Sequence, residues 1–368
     1  MRNPFKPTAG ATPPHLVGRD EVIDQFMEGI ENGPGAPDRL TLFTGQRGVG
    51  KTVMLGEVAD RVQEGHQWQV LSETATTGFL ERLTRDAIRL LPSERGRRLT
   101  SITLPVVGGG ASFALSKDAA PQSDFREALT ALADQCAQGG TGILITLDEV
   151  HSRNSEELAQ FAADIQHLIR EGREVAVAFA GLPAAVDELL DSSQITFLRR
   201  AERVFLQDVP IREVTRALQE TITSSGRFIS PEDAELLAES TRGYPFMIQL
   251  VGYHSWRKAT SDLIDTEACR RGIHQALTRL GSLVHAPALR SLSEVDRTFL
   301  VAMSHDEGPS RTSDLAQRMG KSAQYTSVYR QRLINAGMVQ PVGHGTVDFA
   351  IPGLREYLRD HAASLVNR

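Results

Sequence analysis

The chain has 368 residues, 40% hydrophobic and 23% charged, a globular mixture long enough for two or three domains and too apolar for a disordered segment. Its net charge of −6 argues against a surface coated throughout for nucleic acid. No apolar run reaches the length of a helical membrane span, the start MRNPFKPTAG lacks the apolar stretch of a secretion signal, and Cys136 and Cys269 stand apart without ligand-spaced neighbours, so the chain reads as cytoplasmic, with no disulfide framework and no zinc site.

After a Pro-rich lead (Pro4, Pro7, Pro13, Pro14), short aliphatic or β-branched runs alternate with amphipathic stretches, the signature of an α/β fold with a mainly parallel sheet. Strands are predicted at residues 40–44, 67–72, 143–148, 174–180 and 203–206, with helices such as 51–64 and 155–171 between them, making one doubly wound core. Residues 102–107 and 111–116 break that rhythm. Their alternating side chains flank Gly108, Gly109 and Gly110 and read as an inserted hairpin, either a surface embellishment or a loop for DNA or a neighbouring subunit.

The first strand runs into Gly45-Gln46-Arg47-Gly48-Val49-Gly50-Lys51-Thr52, the G-x-x-x-x-G-K-T pattern between strand and helix. Glycines let the backbone curl so that successive N–H groups point at phosphate oxygens, and the new helix turns its positive end to the same anion. In this arrangement Lys51 reaches the β and γ phosphates and the Thr52 hydroxyl ligates Mg²⁺. Arg47 reads as solvent-facing. A hundred residues on, the apolar strand 143–148 ends in Asp148 and Glu149. Adjacent acids at a strand end diverge, so Asp148 can hold the magnesium while Glu149 orients and deprotonates water.

From Pro210 the pattern turns wholly helical, with helices predicted at 211–224, 231–240, 245–259 and 266–281 and a Ser230-Pro231 start signal. The C-terminal part reads as a winged helix: helices 293–303, 312–319 and 322–336, a turn at Met319-Gly320-Lys321, a left-handed stop at Gly337, strands 338–342 and 346–351 around Gly343-His344-Gly345, and a closing helix 352–361. In such a fold the third helix can enter a major groove. It offers Lys321, Ser322, Gln324, Tyr325, Thr326, Ser327, Tyr329, Arg330 and Arg332, with His344 at the wing tip, as phosphate and base-edge contacts to double-stranded DNA. Charge is uneven in the same sense: ten basic and eight acidic residues from Arg290 onward, thirty and thirty-eight before it. Winged helices also serve as protein-docking modules, and both readings stand on the sequence. The divisions expected are a core at 1–208, a helical lid at 209–288 and the winged helix at 289–368.

These motifs resemble the AAA+ and STAND group of P-loop ATPases, and within it the origin-recognition-type initiators and related archaeal-type ATPases, over nearly everything from Leu16 onward. Leu16-Val17-Gly18-Arg19-Asp20-Glu21 is similar to the short motif ahead of the phosphate loop, which implies that Val17, Gly18 and Arg19 line the adenine pocket. Asp148-Glu149-Val150-His151 resembles the magnesium and base motif, and Arg242-Gly243-Tyr244-Pro245-Phe246 the lid motif, whose proline packs near the base. Arg199 and Arg200 resemble the finger that completes a neighbour's site; a solvated helix end is the plainer reading. Two departures bear on the chemistry. Ala180-Gly181-Leu182-Pro183 stands where many relatives carry a polar residue for the γ phosphate, and Arg242 does not occupy the usual place of a second sensor.

The resemblance implies an ATP- and ADP-binding, slowly hydrolysing switch associated with DNA, initiator-like or helicase-loader-like, self-associating through the ATP site and independent of membranes. A signalling or regulatory ATPase of transposition, transcription control or defence, whose winged helix docks proteins, is the alternative, and a nucleotide scaffold without useful hydrolysis is a third. Neither G-x-S-x-G nor H-E-x-x-H occurs, so other hydrolase chemistries lack their motifs.

Overall fold

A computed structural model describes residues 1–8, 10, 13, 16–92, 125–151, 155–191 and 196–365; the expected hairpin at 101–116 lies outside the described residues. Five strands, β1 (Leu40–Gly45), β2 (Gln69–Thr74), β3 (Ile143–Asp148), β4 (Val175–Gly181) and β5 (Glu202–Leu206), form one parallel sheet in the order β2-β3-β4-β1-β5. All five lie at or within two residues of their predicted positions. β2 starts later than predicted because Gln67 takes a left-handed φ of 55° as the cap of the preceding helix.

Strand periodicity divides the interior in two. Leu42, Ile143, Ile145, Leu147, Val175, Val177 and Phe179 face one core with α3 (Phe79–Leu90), α4 (Phe125–Gln138), α5 (Ser155–Arg170) and α6 (Pro183–Asp191). Their alternates Phe43, Leu144, Ala176, Ala178 and Ala180 face the other, with α1 (Asp20–Glu31) and α2 (Lys51–His66). Both sheet faces are thus covered, as a parallel sheet requires. β4 lies between β1 and β3, so the C-terminal ends of these three strands open side by side.

The lid comprises α7 (Ile211–Ser224), α8 (Pro231–Thr241), α9 (Pro245–Lys258) and α10 (Thr266–Leu280). It is not wholly helical, a correction to the sequence reading: β6 (Phe228–Ile229) and β7 (Leu263–Ile264) pair in parallel. Each leads into a capped helix start. Ser230 Oγ accepts from Asp233 N–H and the Asp265 carboxylate from Ala268 N–H, so pairing the two short strands aligns two helix starts. The Pro-rich lead packs on the lid, with Phe5 buried in the lid core.

Beyond α10 the backbone widens into a π turn at Gly281–His285, followed by α11 (Ala286–Arg290). The terminal module then runs α12 (Glu294–Ser304), β8 (Ser310–Arg311), α13 (Thr312–Met319), α14 (Ala323–Asn335), β9 (Val339–Gly343), β10 (Thr346–Phe349) and α15 (Leu354–Leu365). Its antiparallel sheet, in the order β8-β10-β9, has one strand more than predicted. Gly320 and Gly337 are left-handed, as the stop signals required. No described helix is long and apolar enough to cross a membrane, and both cysteines are buried and free.

The α9–α10 crossing depends on Gly272, where a Cβ would collide with Ser255 Oγ and approach the Ser255 backbone N to 2.6 Å. Gly272→Ala should cost the lid about 1–3 kcal/mol through overpacking. Denaturant titration followed by Trp256 fluorescence in a Trp68→Phe background measures it, as a lower transition midpoint.

Candidate nucleotide site

The loop after β1 curls through left-handed Gly48 (φ 78°) and Gly50 (φ 95°), and α2 begins at Lys51. Space around the position of a Gly50 Cβ is open, so at that residue only backbone lines the loop. Lys51 Nζ folds back and donates to the carbonyls of Gly45 (2.8 Å) and Gln46 (2.7 Å). Burial pushes its pKa down to about 8; Asp148 and Glu149 pull the other way, and Arg47 adds to the lowering.

Thr52 Oγ1 donates to Asp148 Oδ2 at 2.6 Å. Two oxygen ligands expected for one cation therefore meet, one from the first turn of α2 and one from the end of β3. Among the described residues no three His, Cys, Asp or Glu side chains converge, so a magnesium ion at Thr52 and Asp148 would draw its remaining ligands from phosphate and water, the habit of that ion. Asp148 Oδ1 accepts from the Glu149 N–H. Glu149 takes a φ of 55°, a strained conformation for a residue with a side chain. Next to the two acids β4 ends in Gly181, and the carbonyl of Ala180 before it accepts from Val150 N–H.

Gly48, Gly50, Lys51, Thr52, Asp148 and Glu149 line a cleft of about 1100 Å³ that also takes in Leu16, Val17, Arg19, Tyr244 and Pro245. Val17 packs on the lid core. A Cβ on Gly18, left-handed at φ 67°, would lie 2.5 Å from Glu213 Oε2. Arg19 donates to the Gln207 carbonyl; burial lowers its pKa, against the opposing pull of Asp208 and Glu213. Tyr244 Oη donates to the Arg47 carbonyl at 3.1 Å, and a Cβ on Gly48 would collide with that hydroxyl. Burial raises the phenol pKa. Pro245 opens α9, the lid helix that leads away from this contact.

The loop has a second, unforeseen neighbour. Gln46 Nε2 donates to Gln340 Oε1 of β9 at 2.6 Å, across 294 residues. Arg279, in the last turn of α10, also lines the cleft. The signal for it was a basic residue at the end of the last lid helix. Arg242 is the left-handed residue after α8 and pairs with Glu356 at 2.8 Å, away from the place of a second sensor, as its position in the sequence implied. His151 lines the cleft with a buried Nδ1 that has no hydrogen-bond partner among the described residues.

Arg199 is held as a helix cap, because its guanidinium donates to the carbonyls of Leu190 (2.6 Å) and Asp191 (3.4 Å) at the end of α6. Arg200 is exposed. On the terminal module, Lys321 and Ser322 at the start of α14, Gln324 and Ser327 on it, and His344 at the β9–β10 turn are exposed. The Tyr325 and Tyr329 rings lie 4.8 Å apart, tilted by 39°, with Lys321 over the first ring and Arg332 over the second. Thr326 corrects the sequence reading: it is fully buried and its hydroxyl donates to the Ser322 carbonyl, so it faces the module's own core. Arg330 is half-buried, and Arg332 pairs with buried Asp296 at 3.2 Å.

Residues 15–177 match the AAA ATPase domain family, and residues 282–358 match a domain of unknown function, DUF8462. No curated protein matches the sequence. Among solved structures, a Walker-type ATPase of Pyrococcus abyssi superposes with a TM-score of 0.67 at 17% identity, covering 94% of this chain and 96% of that one. The Aeropyrum pernix ORC2 protein in its ADPNP–ADP complexes gives 0.64 at 15%, covering 98% and 96%. Its ADP form gives 0.55 at 15%, covering 99% and 100%. At these identities the likeness is one of fold.

The packing of Tyr244 on Gly48 can be measured. Gly48→Ala should destabilise the loop–lid junction by about 1–3 kcal/mol, and in a double-mutant cycle with Tyr244→Ala the combined loss should fall short of the sum by at least about 0.5 kcal/mol.

Proposed function

We propose, taking as premise that this chain is a P-loop ATPase of AAA+ fold resembling the origin-recognition initiators, that it binds ATP and ADP, hydrolyses ATP slowly and acts as a nucleotide-controlled switch on DNA in the cytoplasm. The observation that carries this reading is the Thr52–Asp148 contact at the mouth of the phosphate loop. The complexes of the Aeropyrum protein with ADPNP and ADP support an adenine nucleotide as the ligand.

In this reading Gly45, Gln46, Arg47, Gly48, Val49 and Gly50 present their backbone to the phosphates, and Val17, Gly18, Arg19 and Pro245 face the base. A phosphate that engages Lys51 replaces its bonds to the Gly45 and Gln46 carbonyls. Thr52 and Asp148 would hold a magnesium ion, which would supply neutralisation of charge on the phosphate oxygens. Glu149 takes a proton from water aligned with the γ phosphate. Where β4 ends, Gly181 and Leu182 line the cleft and neither offers a polar side chain to hold that phosphate, so turnover is slow. With Arg199 engaged at the end of α6, Arg200 is the better placed of the two to reach a neighbouring subunit, where an added cation stabilises the transferring group. The functional units are the core at 1–208, the lid at 209–288 and the winged helix at 289–368, with the lead riding on the lid.

DNA contact is assigned to Lys321 and Ser322 at the start of α14 and to Gln324, Tyr325 and Tyr329 on it, with Arg330 at its edge and His344 on the wing. Docking of a protein partner is the second reading. It is favoured by exposed Val328 on the same helix and by the pairing of Arg332 with Asp296, which reduces the charge free for phosphates.

Lys51→Ala should abolish ADP and ATP uptake in calorimetry. Glu149→Gln should keep binding and lose phosphate release; normal release by that variant would overturn the assignment of the base. Contact with phosphate favours the charged form of a lysine whose pKa is about 8, so binding should take up protons near that pH and weaken as pH rises above it. In anisotropy titrations against salt, Lys321→Ala should weaken duplex binding and reduce the salt slope by about 1. No duplex affinity at low salt would leave the docking reading in place.

A further inference from the structure

We infer that residues 3–8 form a lid-borne strap that walls the base side of the nucleotide cleft and sets affinity for the nucleoside part of the ligand. The inference rests on the reading of that cleft as a nucleotide site and adds to it a segment outside every motif of the chain.

The strap is fastened to one face of α9. Phe5 is only 3% exposed and belongs to the lid core. A Cβ on Gly252 would collide with its ring, so the glycine is a socket for the phenyl group. Asn3 Nδ2 donates to the Tyr253 carbonyl and Gln249 Oε1 accepts from Lys6 N–H, both at 3.0 Å. Positions 249, 252 and 253 are spaced as neighbours on a single helical face. The strap also braces itself: Asn3 Oδ1 accepts from Phe5 N–H and the Lys6 carbonyl from Thr8 N–H, with Pro7 fixing the backbone between them.

Past that anchor Lys6, Pro7 and Thr8 line the cleft together with the phosphate loop, Val17 and Ile248. Lys51, Thr52 and Asp148 fix the phosphate end. A flat base at the other end needs apolar surface, and Pro7, Val17 and Ile248 supply it. Since every anchor of the strap lies on α9, and α9 starts beside the Tyr244–Arg47 contact, a base resting on Pro7 bears on the lid while its phosphates bear on the core. Nucleotide then favours the closed arrangement by differential affinity, with the strap as the lid's share of the contact.

Calorimetry on the full chain tests this with two probes, ADP and inorganic pyrophosphate. Pro7→Ala, which leaves the lid core untouched, and Phe5→Ala, which empties the Gly252 socket, should each weaken ADP about tenfold, as loss of one pocket contact does, and leave pyrophosphate within about twofold. Circular dichroism establishes that both variants are folded. ADP affinity unchanged in Pro7→Ala overturns the strap, and so does an equal loss for both probes. A parent protein that takes up pyrophosphate but not ADP, or neither, overturns the nucleotide reading itself and the strap with it.

Discussion

A hydroxyl and a carboxylate 96 residues apart meet at 2.6 Å, and the rest of the site is arranged around that pair. The meeting depends on register. β1 and β3 both pair with β4, with Thr44 opposite Gly181 and Leu147 opposite Phe179. Slipping either strand by one residue would exchange the side chains of two buried cores. The two-sided burial that stabilises the sheet therefore also fixes where Thr52 and Asp148 stand.

Around this fixed pair the other parts of the molecule converge on the phosphate loop. Tyr244 of the lid holds the Arg47 carbonyl, Gln340 of the terminal module holds the Gln46 side chain, and Lys51 holds the carbonyls of Gly45 and Gln46. Burial depresses the Lys51 pKa, so the loop's own cation is incompletely compensated and is attracted to any anion that enters. Shape is kept by packing and polar contact, while charge is left for the ligand.

The strands were legible because buried parallel strands are short apolar runs, and β3, closed by two acids, matched its predicted limits. The phosphate loop was legible because its chemistry prescribes its spelling. The reading fell short where a side chain's partner is set by the fold and not by local pattern. A guanidinium near the last core strand looks the same in sequence whether it faces a neighbour or, like Arg199, closes a helix in its own chain. Thr326 sits among polar residues on a helix with weak apolar periodicity, and its hydroxyl is absorbed by the carbonyl four residues back. The Phe5–Gly252 socket and the Gln46–Gln340 bond join ends of the chain that local pattern cannot relate.

The bond between Gln46 and Gln340 bears on any attempt to work with the pieces of this molecule. In a G-x-x-x-x-G-K-T loop the variable positions are the ones the phosphate leaves unspecified, yet here the first is gripped by the terminal module and the second by the lid. A truncated core would keep the motif and lose both of these partners. Dissecting the chain thus alters the very loop that the excised fragment was meant to isolate.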